Sequence, residues 1–261
     1  MELFKATKNF YFLLILLNLM AIDLEAKEPR IVSLDPAVTE LLFHTPLAGN
    51  IVGITSYGNY PLEATSKIEK IGTYNEPKLE KIISLEPTHI LVMASGRPNL
   101  IFPVNLDFKI VELKGTKLSD YLDNLKILED EFKIDTNELK MKWLSPKIEI
   151  RDSKKSGLII IGRTPYVLAG KSSFLSQALQ HLCGFENILD SEKAWPSVAV
   201  EKLSSLPAKS IIAFSMTEDQ KIMPKQLWPK SQKLEFSGDE FLRLGPRLPA
   251  AMNKVCEKLL N

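Results

Sequence analysis

Histidine and cysteine are scarce in this sequence, and the residue patterns of common enzymes are missing from it. The 261 residues include 3 histidines and 2 cysteines. His44, His89 and His181 stand apart from one another and from carboxylates at the spacing of metal ligands, so the sequence does not indicate a metal centre. It also has no G-x-S-x-G nucleophile elbow, no glycine-rich phosphate loop and no G-x-G-x-x-G motif. These absences argue against an enzyme.

The sequence also lacks an excess of charge of either sign. Its 33 lysines and arginines nearly balance 32 aspartates and glutamates, and the formal net charge is +1. The basic residues are spread along the chain, which does not predict a nucleic-acid-binding surface. Hydrophobic residues make up 45% of the chain, enough for one or two sizeable cores.

No hydrophobic run is long enough for an ordinary membrane span, which needs about 20 apolar residues. The apolar run at residues 11–22 follows the basic residues Lys5 and Lys8, and this order is typical of a secretory signal. We expect residues 1–26 to be a signal peptide that is removed from the exported chain. The alternative is an uncleaved anchor.

The two cysteines, Cys183 and Cys256, are far apart in the chain. In an exported protein, such a pair predicts one disulfide. The bond would close a loop of about 70 residues and add roughly 4 kcal/mol to the free energy of unfolding in the chain-entropy model. The alternative is two free thiols in the core.

The chain divides into two similar halves around a helical segment. Residues 79–87 (LEKIISLEP) and 200–207 (VEKLSSLP) each read as a helix that begins near a Glu-Lys pair, ends at a proline and leads into an apolar strand. Short apolar strands that alternate with helices favour an α/β fold with mainly parallel sheets. We therefore expect an N-terminal lobe at 27–116, a bridging helical segment at 117–156 and a C-terminal lobe at 157–261, with a cleft between the lobes.

The bridging segment contains two amphipathic stretches. The first has apolar residues at helical spacing between Leu118 and Phe132. Asp135 and Glu138 then form a start signal for a second helix. Pro146 should kink or shorten that helix, because proline has no backbone N–H. The alternative is that both stretches are ordinary helices within a single domain.

Aromatic residues recur in the loops that follow predicted strands. In open α/β sheets, ligands bind outside the carboxyl ends of the strands, and flat rings there can hold a large planar ligand. Asp239 and several arginines could add polar contacts. The aromatic residues are Tyr57, Tyr60, Tyr74, Tyr166, Trp195 and Phe241, and the arginines are Arg97, Arg163, Arg243 and Arg247. Each ring alone could be ordinary packing, but their recurrence favours a ligand site.

Several passages resemble a known family. They are residues 30–41 (RIVSLDPAVTEL), 55–61 (TSYGNYP), 183–188 (CGFENI), 194–196 (AWP) and 239–247 (DEFLRLGPR). Together they are similar to the periplasmic binding proteins that carry cobalamin, haem and iron–siderophores, above all to the cobalamin-binding branch. The resemblance covers nearly the whole chain after the signal peptide. It implies two α/β Rossmann-like lobes bridged by one long helix, with a ligand in the cleft and no catalytic activity.

The resemblance also implies a ligand and the residues that hold it. The ligand would be cobalamin (vitamin B12) or a related corrinoid. Tyr74 stands where the cobalamin-binding branch has a tryptophan, and Met93 stands close to a second such position. The ligand-binding residues that the resemblance implies are Tyr57, Tyr60, Tyr74, Met93, Tyr166, Trp195, Asp239, Phe241 and Arg243.

The resemblance further implies a monomeric periplasmic protein that hands its ligand to an inner-membrane ABC permease. In the cobalamin-binding branch, one glutamate on each lobe docks onto arginines of the permease. Glu80 and Glu201 occupy these positions; the alternative is that both are solvated charges at helix starts. The pair Cys183 and Cys256 matches the family's disulfide. We expect no resident cofactor, no metal and no nucleic-acid partner.

Three other functions stay open at this point. The first is a haem or iron–siderophore binding protein of the same family, although negatively charged siderophores usually require several arginines in the cleft. The second is a two-lobed enzyme with its active site in the cleft. The third is a signalling or interaction protein that kept the fold and lost the ligand.

Overall fold

The computed structural model describes residues 28–94, 107–144, 155–220, 222–224 and 226–261. The expected signal peptide, Arg97 and Pro146 lie outside the described residues. Within these ranges, no helix is both long enough and apolar enough to cross a membrane.

Five strands of the first half form a parallel sheet. They are β1 (Ile31–Ser33), β2 (Ile51–Ile54), β3 (Glu69–Lys70), β4 (His89–Met93) and β5 (Lys109–Leu113). In the sheet their order is β3-β2-β1-β4-β5. The central strand β1 has Ile31 and Val32 fully buried in different core clusters. Because all five strands are parallel, their carboxyl ends lie along one edge of the sheet.

Short helices connect these strands. They are α1 (Pro36–Phe43), α2 (Leu62–Thr65) and α3 (Leu79–Ser84), with a 3-10 turn at Pro46–Asn50. Asp35 caps α1, because its Oδ1 accepts hydrogen bonds from the backbone N–H groups of Ala37 and Val38, at 2.7 and 3.3 Å. Pro36 suits the first turn, where no N–H is needed.

Six strands of the second half form a mixed sheet. They are β6 (Ser156–Arg163), β7 (Tyr166–Leu168), β8 (Glu186–Asn187), β9 (Ser197–Val198), β10 (Ser210–Ser215) and β11 (Gln232–Ser237). The order is β11-β10-β6-β7-β9, with β8 paired to β6. The strands β6, β10 and β11 are parallel, as predicted. The expectation of a loop at Tyr166 is wrong, because Tyr166 pairs with Arg163 in an antiparallel β6–β7 hairpin.

Between the two sheets the chain forms α4 (Asp120–Phe132) and α5 (Asn137–Leu144). Three further helices accompany the second sheet: α6 (Phe174–Cys183), α7 (Val200–Ser204) and α8 (Leu248–Leu260). Ser173 caps α6 by accepting a hydrogen bond from Ser176 N, and Gly184 ends it at a left-handed φ of 65°. A disulfide between Cys183 and Cys256 joins α6 to α8, with Cα atoms 5.8 Å apart. The predicted disulfide is confirmed.

The bridging segment contains two helices, α4 (Asp120–Phe132) and α5 (Asn137–Leu144). Lys133 ends α4 with a left-handed φ of 55°. The carboxylate of Glu129 accepts hydrogen bonds from Thr136 and Lys140, which fixes a bend between the helices. The two-helix pattern is confirmed. Within residues 120–144 this segment consists of two helices, because the chain turns between α4 and α5.

The main hydrophobic core runs through both halves. It includes Ile31 of the first sheet, Ile159 and Phe214 of the second, and Tyr121 and Leu125 of α4. Smaller clusters cover the outer faces of the two sheets. The α/β class with mainly parallel sheets is confirmed. The lobe boundaries stay a prediction, because α4 packs inside a core that both halves share.

Candidate ligand-binding cleft

A cavity of about 330 Å³ lies where the carboxyl ends of both sheets meet. Both halves of the chain contribute to its wall. The wall includes Asp35, Met93 and Gly115 from the first half and Ile161, Trp195 and Arg243 from the second. Larger grooves of about 520 and 610 Å³ lie beside α6 and α8, away from these strand ends. The cavity at the strand ends is the candidate site, since ligands of open α/β sheets bind there.

The loop that carries Trp195 is held by backbone hydrogen bonds on both sides. The N–H groups of Leu168 and Gly170 donate to the carbonyls of its two neighbours, at 3.0 and 2.7 Å. The indole packs edge-on against Phe174, with ring centroids 5.3 Å apart. Because the loop and the ring are both fixed, Trp195 can stack on a flat ligand with little loss of side-chain entropy.

Met93, at the end of β4, is the longest of the apolar side chains that the first half contributes to the wall, beside Pro36 and Ala37. Its thioether lies over Gly115, where a Cβ atom would come within 2.6 Å of Sδ. Because Gly115 has no side chain, the Met93 side chain can occupy the space next to it. A flexible, polarisable thioether at this place can adapt to the shape of a ligand.

Two arginines of the second half reach across to the first half beside the cavity. Arg247 donates from Nε and Nη2 to the two carboxylate oxygens of Glu40, at 3.0 and 2.5 Å. Arg243 Nη2 donates to Tyr57 O and Asn59 Oδ1, at 3.0 and 2.9 Å. The side chains of Glu40 and Arg243 are 1% and 5% exposed, so these charges are removed from water. The contacts join the two halves of the chain.

Asp239 completes an ion cluster that consists of Glu40, Asp239, Arg243 and Arg247. Its Oδ2 lies 2.8 Å from Arg243 Nη1, and its Oδ1 accepts a hydrogen bond from Arg247 Nη2 at 2.9 Å. The ring of Tyr60 lies 3.8 Å from the Arg247 guanidinium carbon, a cation–π contact. Burial lowers the pKa of Arg247, but its hydrogen bonds to Glu40 and Asp239 outweigh burial and raise the pKa. The guanidinium therefore stays charged.

Asp35 and Tyr74 bring two further titratable groups to this region. Burial raises the pKa of the Asp35 carboxyl, although hydrogen bonds from Ala37 and Val38 oppose the shift. Burial raises the pKa of Tyr74 to about 12, and the charge of Asp35 adds to the shift. Tyr74 therefore keeps its hydroxyl proton at neutral pH and can donate a hydrogen bond.

Comparison with known proteins places the chain in a family. A family model described as periplasmic binding protein matches residues 31–125. The vitamin B12-binding protein of Salmonella paratyphi A is 31% identical over 247 residues, which cover 88% of this chain and 90% of that protein. The chain belongs to the periplasmic binding protein family. This membership confirms the expectation of a binding protein instead of an enzyme.

Solved structures share the fold of this periplasmic binding protein. The periplasmic vitamin B12-binding protein of Vibrio cholerae has a TM-score of 0.67 and 22% identity, covering 88% of this chain and 96% of that one. A Staphylococcus aureus protein complexed with haem has a TM-score of 0.72 and 19% identity, covering 90% of this chain and 100% of that one. At these identities, the likeness shows the common two-lobed α/β fold alone.

Three of the expected ligand-binding residues, Met93, Trp195 and Arg243, line the cavity. Asp239 contacts both arginines of the ion cluster, and Tyr60 packs on Arg247. Asp239 therefore supports the cavity wall through Arg243, and Tyr60 contacts the ion cluster beside the cavity. Whether any of the five contacts a ligand stays a prediction.

The other expected aromatic residues differ in their surroundings. The side chain of Tyr57 is 53% exposed. Tyr166 packs against the outer cluster of the second sheet. Phe241 is only 4% exposed and stacks on Phe214, with ring centroids 5.4 Å apart. Phe241 is thus a core residue in this conformation, and its ring offers almost no surface to a ligand.

Sequence reasoning did not assign Asp35 or Glu40 to the site. Asp35 caps α1, and its position just after β1 also puts it at the edge where ligands bind. Glu40 lies in a helix whose other residues are mostly apolar. A carboxylate on such a buried helix needs a cationic partner, which is the signal that could have identified it.

Glu80 and Glu201 are exposed and lie in the first turns of α3 and α7. The first helix leads from β3 to β4, and the second leads from β9 to β10. In each case the two strands run in the same direction, so each helix begins at the carboxyl edge of its sheet. Both carboxylates are accessible near the cavity side of the molecule, and their docking role stays a prediction.

Proposed function

We propose that this chain is the substrate-binding subunit of an ABC importer and that it binds cobalamin or a related corrinoid between its two lobes. The observation that carries the proposal is the cavity shared by the two sheets, which combines Trp195 and Met93 with the buried charge of Arg243. An apolar wall with a few fixed polar groups suits a large ring with polar edges. Relatives named as vitamin B12-binding proteins, which align over 88% of the chain, support this ligand class.

The exported chain works as a monomer of two lobes, 27–116 and 157–261, joined by the segment 117–156. Residues 1–26 direct export to the periplasm and are removed. Mass analysis of the mature protein should place its first residue at or near Lys27. Retention of the first 26 residues in the membrane fraction would support the uncleaved anchor instead.

The ligand is tested by purifying the protein from its native periplasm and recording the absorbance and mass spectra of what co-purifies. We expect a corrinoid. Ligand-free protein should then bind cyanocobalamin in a titration that follows tryptophan fluorescence. Binding of haem with no binding of cyanocobalamin would contradict the corrinoid proposal and leave the transport role in place.

Haem is the second candidate ligand, because the thioether of Met93 lines the cavity. Methionine is an axial ligand of haem iron in some haem proteins. The substitution Met93→Leu separates the two ligands, since leucine keeps the apolar volume but cannot bind iron. It should lower the affinity for haem strongly if haem is the ligand, and change the affinity for cyanocobalamin little.

A further inference from the structure

Asp35 is a buried acid, and only one of its two carboxylate oxygens accepts hydrogen bonds from the protein. It is 9% exposed and lines the cavity. Both of its hydrogen bonds, from Ala37 N and Val38 N, end on Oδ1. Among the residues that the structure describes, no hydrogen bond or ion pair involves Oδ2. The second carboxylate oxygen therefore has acceptor capacity to spare at the cavity.

Capping of α1 does not explain why this residue is charged. Serine and asparagine cap helices as well as aspartate does, and they carry no charge to desolvate. Burial raises the pKa of the Asp35 carboxyl, and the hydrogen bonds from Ala37 and Val38 and the charge of Arg243 oppose the shift. A carboxyl group whose pKa is shifted at the wall of a cavity is a candidate for a role in recognition.

The positive charges beside Asp35 are already balanced by other acids. In the ion cluster, Arg243 and Arg247 face Glu40 and Asp239, two charges of each sign. Glu240 adds a further negative charge 3.6 Å from Arg247. Apart from Asp35 and Arg243, the residues of the cavity wall are uncharged.

Arg243 is near Asp35 but does not neutralise it by contact. Each charge shifts the pKa of the other, yet no ion pair joins the two side chains within the described part of the chain. Arg243 Nη2 is engaged by Tyr57 O and Asn59 Oδ1. Arg243 is 5% exposed, and its Nε has no hydrogen-bond acceptor among the described residues. The cavity wall thus holds an acceptor with unused capacity, and Arg243 beside it has a buried N–H group without a partner among the described residues.

We propose that Asp35 is a specificity-determining residue, which accepts a hydrogen bond from a primary amide of the ligand and repels ligands that present a carboxylate there. The inference rests on the proposed corrinoid binding and narrows it to ligands whose side chains are uncharged amides. An amide N–H group can donate to Asp35, and the amide carbonyl can accept from a donor such as Arg243. A carboxylate at the same place offers no N–H and meets a second negative charge in a site of low dielectric constant, where repulsion is strong.

The test compares cyanocobalamin with its monocarboxylic acids, in which one peripheral amide has been hydrolysed. The variants Asp35→Asn and Asp35→Ser keep a helix cap and remove the charge. The mature wild-type chain should bind cyanocobalamin more tightly than at least one of the isomeric acids. In both variants this preference should shrink by about tenfold, the size of an interaction worth ~1.4 kcal/mol. Affinities are measured by fluorescence titration and folding by thermal melting.

Asp190→Asn is the matched control, because Asp190 is exposed and does not line the cavity. It should leave the preference unchanged. A wild-type chain that binds the amide and every acid equally well would overturn the inference, even if neither variant folds. An unchanged preference in a folded Asp35→Asn or Asp35→Ser protein would also overturn it and leave Asp35 as a helix cap.

Failure of the proposed function gives a different result. In that case the wild-type chain binds no corrinoid, and haem, with its two carboxylates, replaces the acids in the titration. Tighter binding of haem by Asp35→Asn would then support the repulsive role of Asp35. Equal or weaker binding of haem by the variant, or no binding of haem by either protein, would count against the inference.

Discussion

The two halves of the molecule are held in place by different forces. The second half is closed on itself by the disulfide between α6 and α8, and both cysteines of the chain belong to it. The first half has no cysteine and meets the second through the shared core and the ion cluster. In that cluster the first half supplies Glu40, and the second half supplies Asp239, Arg243 and Arg247.

This difference shows which features of the cleft are sensitive to single substitutions. A covalent bond within the second half does not depend on the position of the first half. Buried ion pairs are different, because they stabilise a contact only while each charge keeps its partner. The relative position of the lobes should therefore respond to one changed charge, whereas the second sheet should keep its shape. Four predictions test this contrast, in order of their expected effect on the isolated protein.

The largest effect should come from removing the disulfide. The cysteines are separated by 73 positions, and a loop of this size is worth roughly 4 kcal/mol in the chain-entropy model. Cys183→Ala with Cys256→Ala should lower the free energy of unfolding by about that amount in urea denaturation. Binding of ligand by the protein that remains folded should change little. Alkylation of both cysteines in the wild-type chain without prior reduction would contradict the disulfide.

The next effect should come from Glu40→Gln, which keeps the shape of the side chain and removes its charge. Arg243 and Arg247 would then share Asp239 as their remaining close carboxylate in the ion cluster. The free energy of unfolding should fall by about 3 kcal/mol, as expected when one partner of a buried ion pair is removed. Ligand affinity should also fall, because the cavity wall is built from both halves.

Glu63→Gln is the matched control for Glu40→Gln. Glu63 is exposed in the first turn of α2 and makes no ion pair among the described residues. Its substitution should change the free energy of unfolding by less than about 0.5 kcal/mol. Equal effects of the two substitutions would mean that the ion cluster does not hold the halves together.

A smaller effect, limited to affinity, should come from Trp195→Ala. Trp195 lines the cavity, so its loss should weaken ligand binding by about 2 kcal/mol, the scale of an aromatic hot spot. Thermal stability should change little.

Phe241→Leu should affect stability instead of affinity, because Phe241 lies in the core. The free energy of unfolding should fall by about 1 kcal/mol, and ligand affinity should be nearly unchanged. A large loss of stability with unchanged affinity in Trp195→Ala would make Trp195 a core residue.

Local signals explain why much of the fold could be predicted from the sequence. Asp35, Ser173 and Gly184 cap their helices through contacts within a few residues, so a short stretch of sequence is enough to specify these helix ends. The strands β7 and β9 have three and two residues, too few to show an alternating pattern. They form only because each finds a partner strand in the folded chain.

The site was harder to predict than the fold, because its polar contacts join residues that are far apart in the sequence. Trp195 and Arg243 were identified from their places after strands and from the family resemblance, and Met93 from the resemblance alone. The pair of Arg247 and Glu40 spans 207 positions, and no local pattern encodes such a contact. The burial of Phe241 likewise depends on Phe214 in β10 and Phe236 in β11.

The smallest effect on the isolated protein should come from Glu80→Ala combined with Glu201→Ala. Each glutamate is exposed in the first turn of its helix, one in each half, so neither supports the cavity. Ligand affinity should stay as in the wild-type chain, and stability should change by a few tenths of a kcal/mol, the scale of a charge at a helix start. The substitution in either half should therefore have the same small effect on ligand affinity and on stability.

Transport is where the double substitution should matter. A permease with an arginine cluster facing each lobe would form ion pairs with both glutamates. Such pairs set the orientation of the binding protein on the permease and the rate at which the two associate. Uptake and complex formation with the permease should fall strongly in the double variant and less in either single variant. The difference from wild type should shrink as salt rises, because exposed charges are screened beyond about 8 Å at physiological ionic strength. Normal uptake and normal permease binding by the double variant would show that Glu80 and Glu201 are only helix-end charges.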